Sequence, residues 1–307
     1  MTEKLGFPKP CRNGTLREQP NLQISYSPLQ QMTRQFPIGK WLLYILLTLY
    51  AVITLIPFLW AFSASFKPLS EIVSSEPNFL PKNFTLDNYT QIFLREPLFL
   101  RWLFNSVLIA ISVTILNLLF NSMAGYALAR LRFSGRRFWF VLILAVLAVP
   151  AQITLIPTFL ILKAFGWLNS YQGMIIPSMV NATFIFMMRQ FFTNFPKELE
   201  EAAALDGLTP FGIFWRIVLP LAKPALAAQA VFVFMGSWNN FLLPVVILFD
   251  PEMFTLPLGL NAFKGQYISY WNYIMAASMV FTLPALAIYA FFNRYFIQGV
   301  TFTGGKG

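Results

Sequence analysis

Residues 41–62 read WLLYILLTLYAVITLIPFLWAF, a run without a single charged side chain. A helix of about twenty apolar residues is long enough to cross the hydrocarbon core of a bilayer. The few charged side chains in five further runs of this kind lie near the ends of those runs. The five runs cover residues 103–129, 138–162, 173–192, 221–248 and 274–296. We therefore expect an all-α, polytopic membrane protein with six transmembrane helices.

The overall composition is that of a membrane protein. Of 307 residues, 57% are hydrophobic and 11% are charged, and the mean hydropathy is +0.61, whereas soluble domains carry roughly a quarter charged residues. Several runs contain proline, which spanning helices tolerate where neighbouring groups satisfy the freed carbonyl. The prolines that predict kinks in this way are Pro57, Pro150, Pro157, Pro177, Pro224, Pro244 and Pro284.

The distribution of Lys and Arg predicts the orientation. If the N-terminus lies inside, the cytoplasmic segments carry sixteen of the 22 Lys and Arg residues and the opposite side carries six. Such an excess is typical of cytoplasmic loops, so we expect both termini on the cytoplasmic side of the plasma (inner) membrane. The net charge of +10 is then explained by contact with anionic lipid headgroups and requires no nucleic acid partner.

Two polar ends flank the predicted transmembrane domain, residues 41–296. Residues 1–40 are predicted to form a cytoplasmic tail, because they lack the hydrophobic core of a signal peptide, and residues 297–307 are predicted to form a second cytoplasmic tail.

Cys11 is the single cysteine, so no internal disulfide is possible and no metal site is suggested.

Residues 63–101 form the longest segment on the predicted extracytoplasmic side. The segment mixes prolines with aromatic side chains and both signs of charge. Its composition leaves open whether it is a connector or a docking surface for an external partner.

One passage interrupts the apolar character of the chain. It is KELEEAAALDGLTP, residues 197–210, which holds four of the twelve acidic residues. The charge distribution places it on the cytoplasmic side, between the fourth and fifth runs. Pro196 suits the start of a helix, and carboxylates in the first turns favour the positive end of the helix dipole. Gly207 suits its end, because glycine adopts the left-handed conformation at low cost.

A second short helix is predicted directly afterwards. Thr209 can cap this helix, Pro210 can open it, and Pro220 would end it before the fifth run. Its large apolar residues follow helical spacing and predict one apolar stripe. They are Phe211, Phe214, Trp215 and Val218. Two interpretations are open: the stripe packs against its own bundle while the acids are solvated, or the segment docks onto a partner.

The sequence EAAALDG at 201–207, followed by IVLPLAKP at 217–224, resembles the EAA loop of ABC importer permeases. Other passages resemble the carbohydrate branch of this family, of the kind found as the smaller permease of maltose-type importers. They are NSMAGYALARLRFSGRR at 121–137, VPAQITLIPTFLILKAFGWLNSYQGMIIP at 149–177, GSWNNFLLP at 236–244 and RYFIQGVTFTGGKG at 294–307. The resemblance covers nearly everything from Trp41 onward, with a permease core of about residues 101–296.

The resemblance implies a type I ABC importer permease bundle. In such importers two permease subunits, expected here to be a heterodimer, form the pathway for a sugar. A dimer of ATPase subunits lies beneath them, and an extracytoplasmic solute-binding protein delivers the substrate. The EAA segment then supplies cytoplasmic coupling helices that sit in a cleft on each ATPase. The residues that the resemblance assigns to this role are Glu201, Ala202, Ala203, Asp206, Gly207, Phe211, Trp215, Leu219 and Pro220.

The chain itself lacks a nucleotide-binding motif. No G-x-x-x-x-G-K-[ST] loop occurs, and GGKG at 304–307 has no Ser or Thr after the lysine. We therefore expect a transport subunit that is not an enzyme and binds no cofactor, with ATP and Mg used by the partner ATPase. In the family, a tail like 304–307 reaches toward the ATPase interface; a frayed end is the alternative.

Polar side chains inside the apolar runs are candidates for the substrate pathway, because such groups usually face the bundle interior or a water-filled path. The candidates are Asn117, Asn121, Gln152, Gln229, Trp238, Asn239 and Asn240. Amides and an aromatic plate suit a di- or oligosaccharide or a related glycoside, with a sugar phosphate or a polyol as the alternative. Hydrogen bonds between helices would be the purely structural interpretation of these residues.

Two other classes of membrane protein fit less well. A secondary transporter usually couples to ions through carboxylates within the membrane, whereas all twelve acidic residues lie outside the six runs. An intramembrane enzyme would need a general base or a zinc ligand set, and the chain contains no histidine.

Overall fold

The computed structural model describes residues 37–74, 78–264 and 269–303. Regular structure within these residues is helical and no strand occurs in them, although Lys264 and Ser269 form an isolated bridge. The chain divides into two units, Met1–Ile56 and Pro57–Gly307. The predicted N-terminal tail falls outside the described residues up to residue 36, and so does the GGKG sequence at 304–307.

The α-helices of the described residues are numbered here in chain order. They are α1 (Pro37–Ala64), α2 (Leu69–Ile72), α3 (Asp87–Arg95), α4 (Phe99–Arg130), α5 (Arg136–Leu147), α6 (Leu155–Ala164), α7 (Tyr171–Ile175), α8 (Ala182–Thr193), α9 (Lys197–Leu205), α10 (Pro210–Ile213), α11 (Leu219–Leu221), α12 (Lys223–Trp238), α13 (Leu242–Ile247), α14 (Leu256–Gly259) and α15 (Trp271–Thr303). A π-helical segment, Phe214–Val218, joins α10 to α11. Short 3₁₀ turns cover Ile176–Ser178, Pro251–Met253 and Leu260–Phe263.

Several helices are long and apolar enough to cross a membrane, which confirms the all-helical, multi-pass class. Four such stretches are found in the described residues: Gly39–Ala64, Phe99–Arg130, Tyr171–Thr193 and Trp271–Phe292. A fifth is obtained if the helix ending at Leu221 and α12 count as one span, although the two meet at 78°. Six continuous spanning helices are therefore not seen in the part of the chain that the structure describes.

The run 138–162 is not one helix. α5 ends at Leu147 and α6 begins at Leu155, because Pro150 between them has no backbone N–H and restricts the residue before it. The run 221–248 is also divided, since α12 ends at Trp238 and α13 begins at Leu242, although residues 239–241 between them contain no proline. Irregular backbone of this kind is tolerated in an apolar region where it lines a cavity.

The described part of the first unit belongs to α1. Its side chains from residue 39 to residue 56 are exposed. The hydroxyl of Thr54 donates to the carbonyl of Tyr50 at 2.5 Å. An apolar helix surface with an internally bonded hydroxyl suits contact with lipid.

α4 is the central helix of the second unit. Its buried residues extend from Phe99 to Leu128, and it packs against α8 and α12. Gly125 permits the close contact with α8, because a Cβ atom there would lie 2.8 Å from both the Cβ of Met188 and the backbone nitrogen of Arg189. Small residues at a crossing let helix backbones approach in this way. α4 is thus packed against other helices along most of its length.

The N-terminal end of α4 holds the segment that follows α13. The Nε1 of Trp102 donates to the carbonyl of Pro251 at 2.7 Å. The Nδ2 of Asn105 donates to the carbonyls of Glu252 and Phe254, at 2.9 Å each. The opposite, C-terminal end of α4 carries the EAA segment.

Candidate functional site

α9 forms the first half of the EAA segment and presents one face to solvent. Glu198, Glu201, Ala202 and Leu205 occupy positions i, i+3, i+4 and i+7 of this helix and are exposed. Leu205 is 90% exposed. Ala203 is the buried residue of α9. The helix therefore turns the carboxylates of Glu198 and Glu201 and the side chain of Leu205 outward, while the methyl group of Ala203 packs against the bundle.

The turn at Gly207 closes α9. The N–H of Leu208 donates to the carbonyl of Ala203 at 3.1 Å, as in a Schellman motif. Gly207 has a φ of +84°, a left-handed value that costs residues with a Cβ atom about 1–2 kcal/mol. A glycine is therefore needed at this position by the turn itself.

α10 begins as the sequence predicts but does not end at Pro220. The Oγ1 of Thr209 accepts the N–H of Gly212 at 3.3 Å, and Pro210 occupies the first helical position. After the π-helical segment, α11 continues through Pro220 to Leu221, and the chain then bends by 78° into α12. A π turn before a proline is wide enough for a ring that would clash with the carbonyl four residues earlier in an α-helix.

The predicted apolar stripe of the EAA segment divides into two faces, so the prediction of a single stripe was wrong. Phe214 and Val218 are buried, whereas Phe211 and Trp215 are 63% and 38% exposed. The contact with the bundle is centred on Phe214, Val218 and their buried neighbour Ile213, which leaves the edge of the stripe in solvent. The rings of Phe211 and Trp215 pack edge to face with centroids 5.9 Å apart, beside a shallow pocket of about 390 Å³.

The buried side of the EAA segment packs on the C-terminal end of α4 and on α8. Its members form one apolar cluster with side chains of those helices. The cluster comprises Tyr126, Met188, Phe192, Ala203, Ile213, Phe214, Val218 and Ala222. The interpretation that the stripe packs against its own bundle thus holds for one half of the stripe.

Glu200 is a residue of this site that the sequence analysis did not separate from the other acids. Its Oε1 lies 2.9 Å from the Nε of Arg130, and both side chains are largely buried. The hydroxyl of Tyr126 donates to the Oε2 of Glu200 at 3.3 Å. The position of Glu200 in the sequence could have indicated its inward orientation. Glu200 precedes the buried Ala203 by three residues and therefore lies on the same face of α9.

A cavity of about 640 Å³ lies in the second unit, against α4, α8 and the backbone breaks after α5 and α12. Its polar lining consists of amides and hydroxyls, and no Asp, Glu, Lys or Arg contributes to it among the described residues. The polar lining residues are Asn117, Gln152, Thr154, Thr158, Ser178, Asn181, Thr183, Ser237 and Asn240. Such a surface can form hydrogen bonds with the hydroxyl groups of a ligand and offers no counterion to a charged one.

Three of the sequence candidates line this cavity: Asn117, Gln152 and Asn240. Gln152 is exposed in the break between α5 and α6. The Oδ1 of Asn240 accepts the N–H of Leu243 at 3.3 Å, so this side chain also bonds to the first turn of α13. The hydroxyl lining was missed because only amides and one tryptophan were selected; the break at Pro150 was the signal that could have found Thr154 and its neighbours.

Asn121 and Gln229 lie outside the cavity lining, in a buried amide network with Asn117. The Nε2 of Gln229 and the Nδ2 of Asn121 both donate to the Oδ1 of Asn117, the former at 3.1 Å. The Oδ1 of Asn121 accepts the N–H of Asn181 at 3.1 Å. This network joins α4, α12 and the start of α8, and it fixes Asn117 at the cavity wall.

Trp238 and Asn239 do not line the cavity either. Trp238 stacks between Phe234 and Phe281, with ring centroids 5.6 and 5.0 Å away, and its Nε1 donates to the carbonyl of Phe281 at 3.2 Å. Asn239 is exposed at the end of α12. The aromatic surface of the cavity comes from other residues, among them Phe184.

The comparison with protein families supplies the identity. Residues 121–302 match the family described as "Binding-protein-dependent transport system inner membrane component". This match covers more than half of the chain and includes the EAA segment and most of the cavity lining. The chain belongs to this family. It is accordingly a multi-pass permease subunit of an ABC transporter that works with a binding protein.

Some relatives of this permease have names that refer to sugars. The arabinooligosaccharides transport system permease protein AraQ of Halalkalibacterium halodurans is 41% identical over 88% of this chain and 98% of its own length. The diacetylchitobiose uptake system permease protein NgcG of Streptomyces coelicolor is 36% identical over 81% of this chain and 83% of its own length.

A solved structure has the same fold. It is the crystal structure of a bacterial ABC transporter involved in the import of the acidic polysaccharide alginate, with a TM-score of 0.76 and 25% sequence identity. The likeness covers 88% of this chain and 99% of that chain. The relatives therefore differ in the charge of the carbohydrates that their names mention.

Proposed function

We propose that this permease is the pathway subunit of an ATP-driven importer for a neutral di- or oligosaccharide. The observation that carries the proposal is the exposed surface of the EAA segment. The exposed carboxylate of Glu201 and the exposed apolar side chains of Leu205 and Phe211 belong to this surface. Sugar as the substrate is supported by the names of the relatives and by the uncharged, hydroxyl- and amide-lined cavity.

The docking face comprises Glu201, Ala202, Leu205, Phe211 and Trp215. A short helix with exposed apolar side chains and a carboxylate fits a groove that has an apolar floor and a basic rim. An ABC ATPase dimer, which uses ATP and Mg, is the partner proposed for this face. The other assigned residues shape the segment from behind or at its ends. They are Ala203, Asp206, Gly207, Leu219 and Pro220.

The proposed topology has six crossings with both termini in the cytoplasm of the plasma membrane. α5 and α6 would cross together as one broken span, and α12 with α13 would form the fifth. A second permease subunit in a heterodimer would complete the pathway along the cavity, and the extracytoplasmic binding protein would deliver the sugar. The excess of Lys and Arg beside the EAA segment supports this orientation.

Two variants of the EAA segment test the proposal in the reconstituted importer. Glu201→Ala removes the carboxylate of the docking face, and Gly207→Ala strains the turn at φ +84°. Each should lower sugar uptake by about tenfold or more, because Glu201→Ala loses a hydrogen bond from a charged group and Gly207→Ala strains the turn by about 1–2 kcal/mol. Asp87→Asn, at the start of α3, is the control and should leave uptake unchanged.

Affinity purification gives the second readout. The tagged permease should retain an ATPase and a second permease subunit, and Glu201→Ala should weaken retention of the ATPase. Normal uptake by both EAA variants would show that this segment is not the coupling element. Failure of any ATPase to copurify would contradict the importer itself.

A further inference from the structure

The ion pair between Arg130 and Glu200 joins two helix ends. Arg130 is the last residue of α4, where a cation is favoured by the negative end of the helix dipole, and Glu200 lies in the first turn of α9, where an anion is favoured by the positive end. The Nε to Oε1 distance is 2.9 Å, and the side chains are 7% and 16% exposed. The charge placement therefore suits both helices at once.

The pair belongs to a larger set of contacts at this end of α4. A terminal nitrogen of Arg130 donates to the carbonyl of Phe195, in the turn just before α9. Tyr126, one turn earlier on α4, donates its hydroxyl to the second oxygen of Glu200 at 3.3 Å. α4 thus contacts the beginning of α9 through three polar links.

α9 has little other attachment to the bundle. Ala203 is its buried residue, and a methyl group contributes little apolar burial. By contrast, Glu198 and Glu201 form no ion pair with any residue that the structure describes. One acid of the EAA segment is therefore directed inward to α4, while its neighbours remain outside.

α4 leads directly from this pair to the transport cavity. Asn117 lies on the same helix, thirteen residues or about 20 Å before Arg130, and it lines the cavity. An α-helix that is packed along its length moves as a rigid element. A displacement of α9 would therefore move the cavity wall if the ion pair holds.

We propose that the ion pair between Arg130 and Glu200 is the internal linkage through which movement of α9 is transmitted to α4 and to the cavity wall. Glu200 and Arg130 are positioning residues in this scheme, because they contact neither ATP nor sugar. The inference rests on the proposed coupling role of the EAA segment and adds the residues that connect the docking face to the pathway.

The test measures sugar uptake and ATP hydrolysis in the same proteoliposomes, containing the complete importer with either wild-type or variant permease. Glu200→Gln should lower the number of sugars transported per ATP by about fivefold or more, the range of ordinary coupling energies. The control is Glu252→Gln, which removes an ion pair with Arg101 of the same 2.9 Å length at the other end of α4, where both side chains are about half exposed. Its uptake-to-hydrolysis ratio should equal that of the wild type.

A double variant keeps the test decisive if the single substitution prevents assembly. A buried ion pair leaves an unpaired charge when one partner is removed, whereas apolar replacement of both partners is well tolerated. Arg130→Met with Glu200→Met should therefore assemble, retain ATP hydrolysis and still transport fewer sugars per ATP. A wild-type ratio in this double variant would overturn the proposed linkage. If the double variant has the wild-type ratio and the ATPase still copurifies, the linkage is contradicted but the proposed function is not. Failure of the linkage can therefore be distinguished from failure of the proposed function.

Discussion

Gly125 and Gly236 are both helical glycines of the second unit, and they differ in what surrounds them. A Cβ atom at Gly125 would lie 2.8 Å from Met188 and from the backbone of Arg189, whereas a Cβ atom at Gly236 would have nothing within 4 Å. Backbone atoms of a packed helix cannot move aside cheaply. Gly125 therefore sets the distance between α4 and α8.

We predict that Gly125→Ala destabilises the folded permease by about 1–3 kcal/mol, the usual cost of overpacking a core. The same substitution at Gly236 should be neutral or slightly stabilising, because alanine is the better helix former. Thermal unfolding of the two purified variants in detergent measures the difference. Equal melting temperatures would show that α4 and α8 can separate at no cost.

Single residues were predictable where the signal is local and not where it depends on neighbours. Thr209, Pro210 and Gly207 have the turn and cap geometry that their chemistry favours. Trp238, in contrast, was selected for the pathway and is held between two phenylalanines of the core, because an apolar sequence does not show which aromatic residues face each other. Asn121 and Gln229 lie in the buried amide network outside the cavity lining, and local sequence did not separate them from the amides that line it.

α2 illustrates how one short element can organise a long connection, residues 63–101. Glu71, in this helix, accepts the N–H groups of Lys82 and Asn83 at 2.9 and 3.2 Å, and its Oε1 lies 4.0 Å from the Nζ of Lys67. The bond from Lys82 lowers the pKa of Glu71 below its ordinary value, with smaller contributions from Asn83 and the lysine charges. Partial burial opposes this effect.

The sign of this shift gives a pH prediction. Because the pKa of Glu71 is lower in the folded protein, its carboxylate stabilises the fold at pH values above its ordinary pKa, and this contribution is lost as the pH falls through the folded value. Glu71→Gln should therefore lower the melting temperature at neutral pH, and its difference from the wild type should disappear as the pH falls below the lowered pKa of Glu71, where the wild-type carboxyl is also protonated. Thermal unfolding across this pH range checks it, with Glu252→Gln as an exposed control. A constant difference at all pH values would contradict the prediction.

The helices were predicted by composition over most of their length, and one of the failures lies at a proline. Pro57 and Pro284 remain inside α1 and α15, whereas Pro150 divides a run of the same apolar character. Local sequence does not distinguish these cases, because tertiary contacts decide whether a freed carbonyl finds a partner. The predicted stripe of the EAA segment failed similarly, since the bundle covers only the arc around Phe214.

The molecule as a whole places its uncharged cavity and its EAA segment along one helix, α4. The sequence motifs identified the family and hence this general arrangement. They could not show that amides and hydroxyls from four separate segments meet at one cavity, because residues from Asn117 to Asn240 converge only in the folded chain. The absence of charge from the described lining is therefore information that the structure adds.

That lining predicts selection by charge at the level of the whole importer. An acidic sugar would lose its hydration in the cavity without gaining a counterion, so uptake of a neutral oligosaccharide should exceed that of a uronate oligosaccharide of equal length. Gln152→Lys should shift the ratio of acidic to neutral uptake upward by about fivefold, or ~1 kcal/mol. Asn239→Lys, exposed and outside the cavity, should leave the ratio unchanged. Uptake of the two labelled sugars in competition gives the ratio directly, and equal uptake of both by the wild type would contradict this assignment of the substrate.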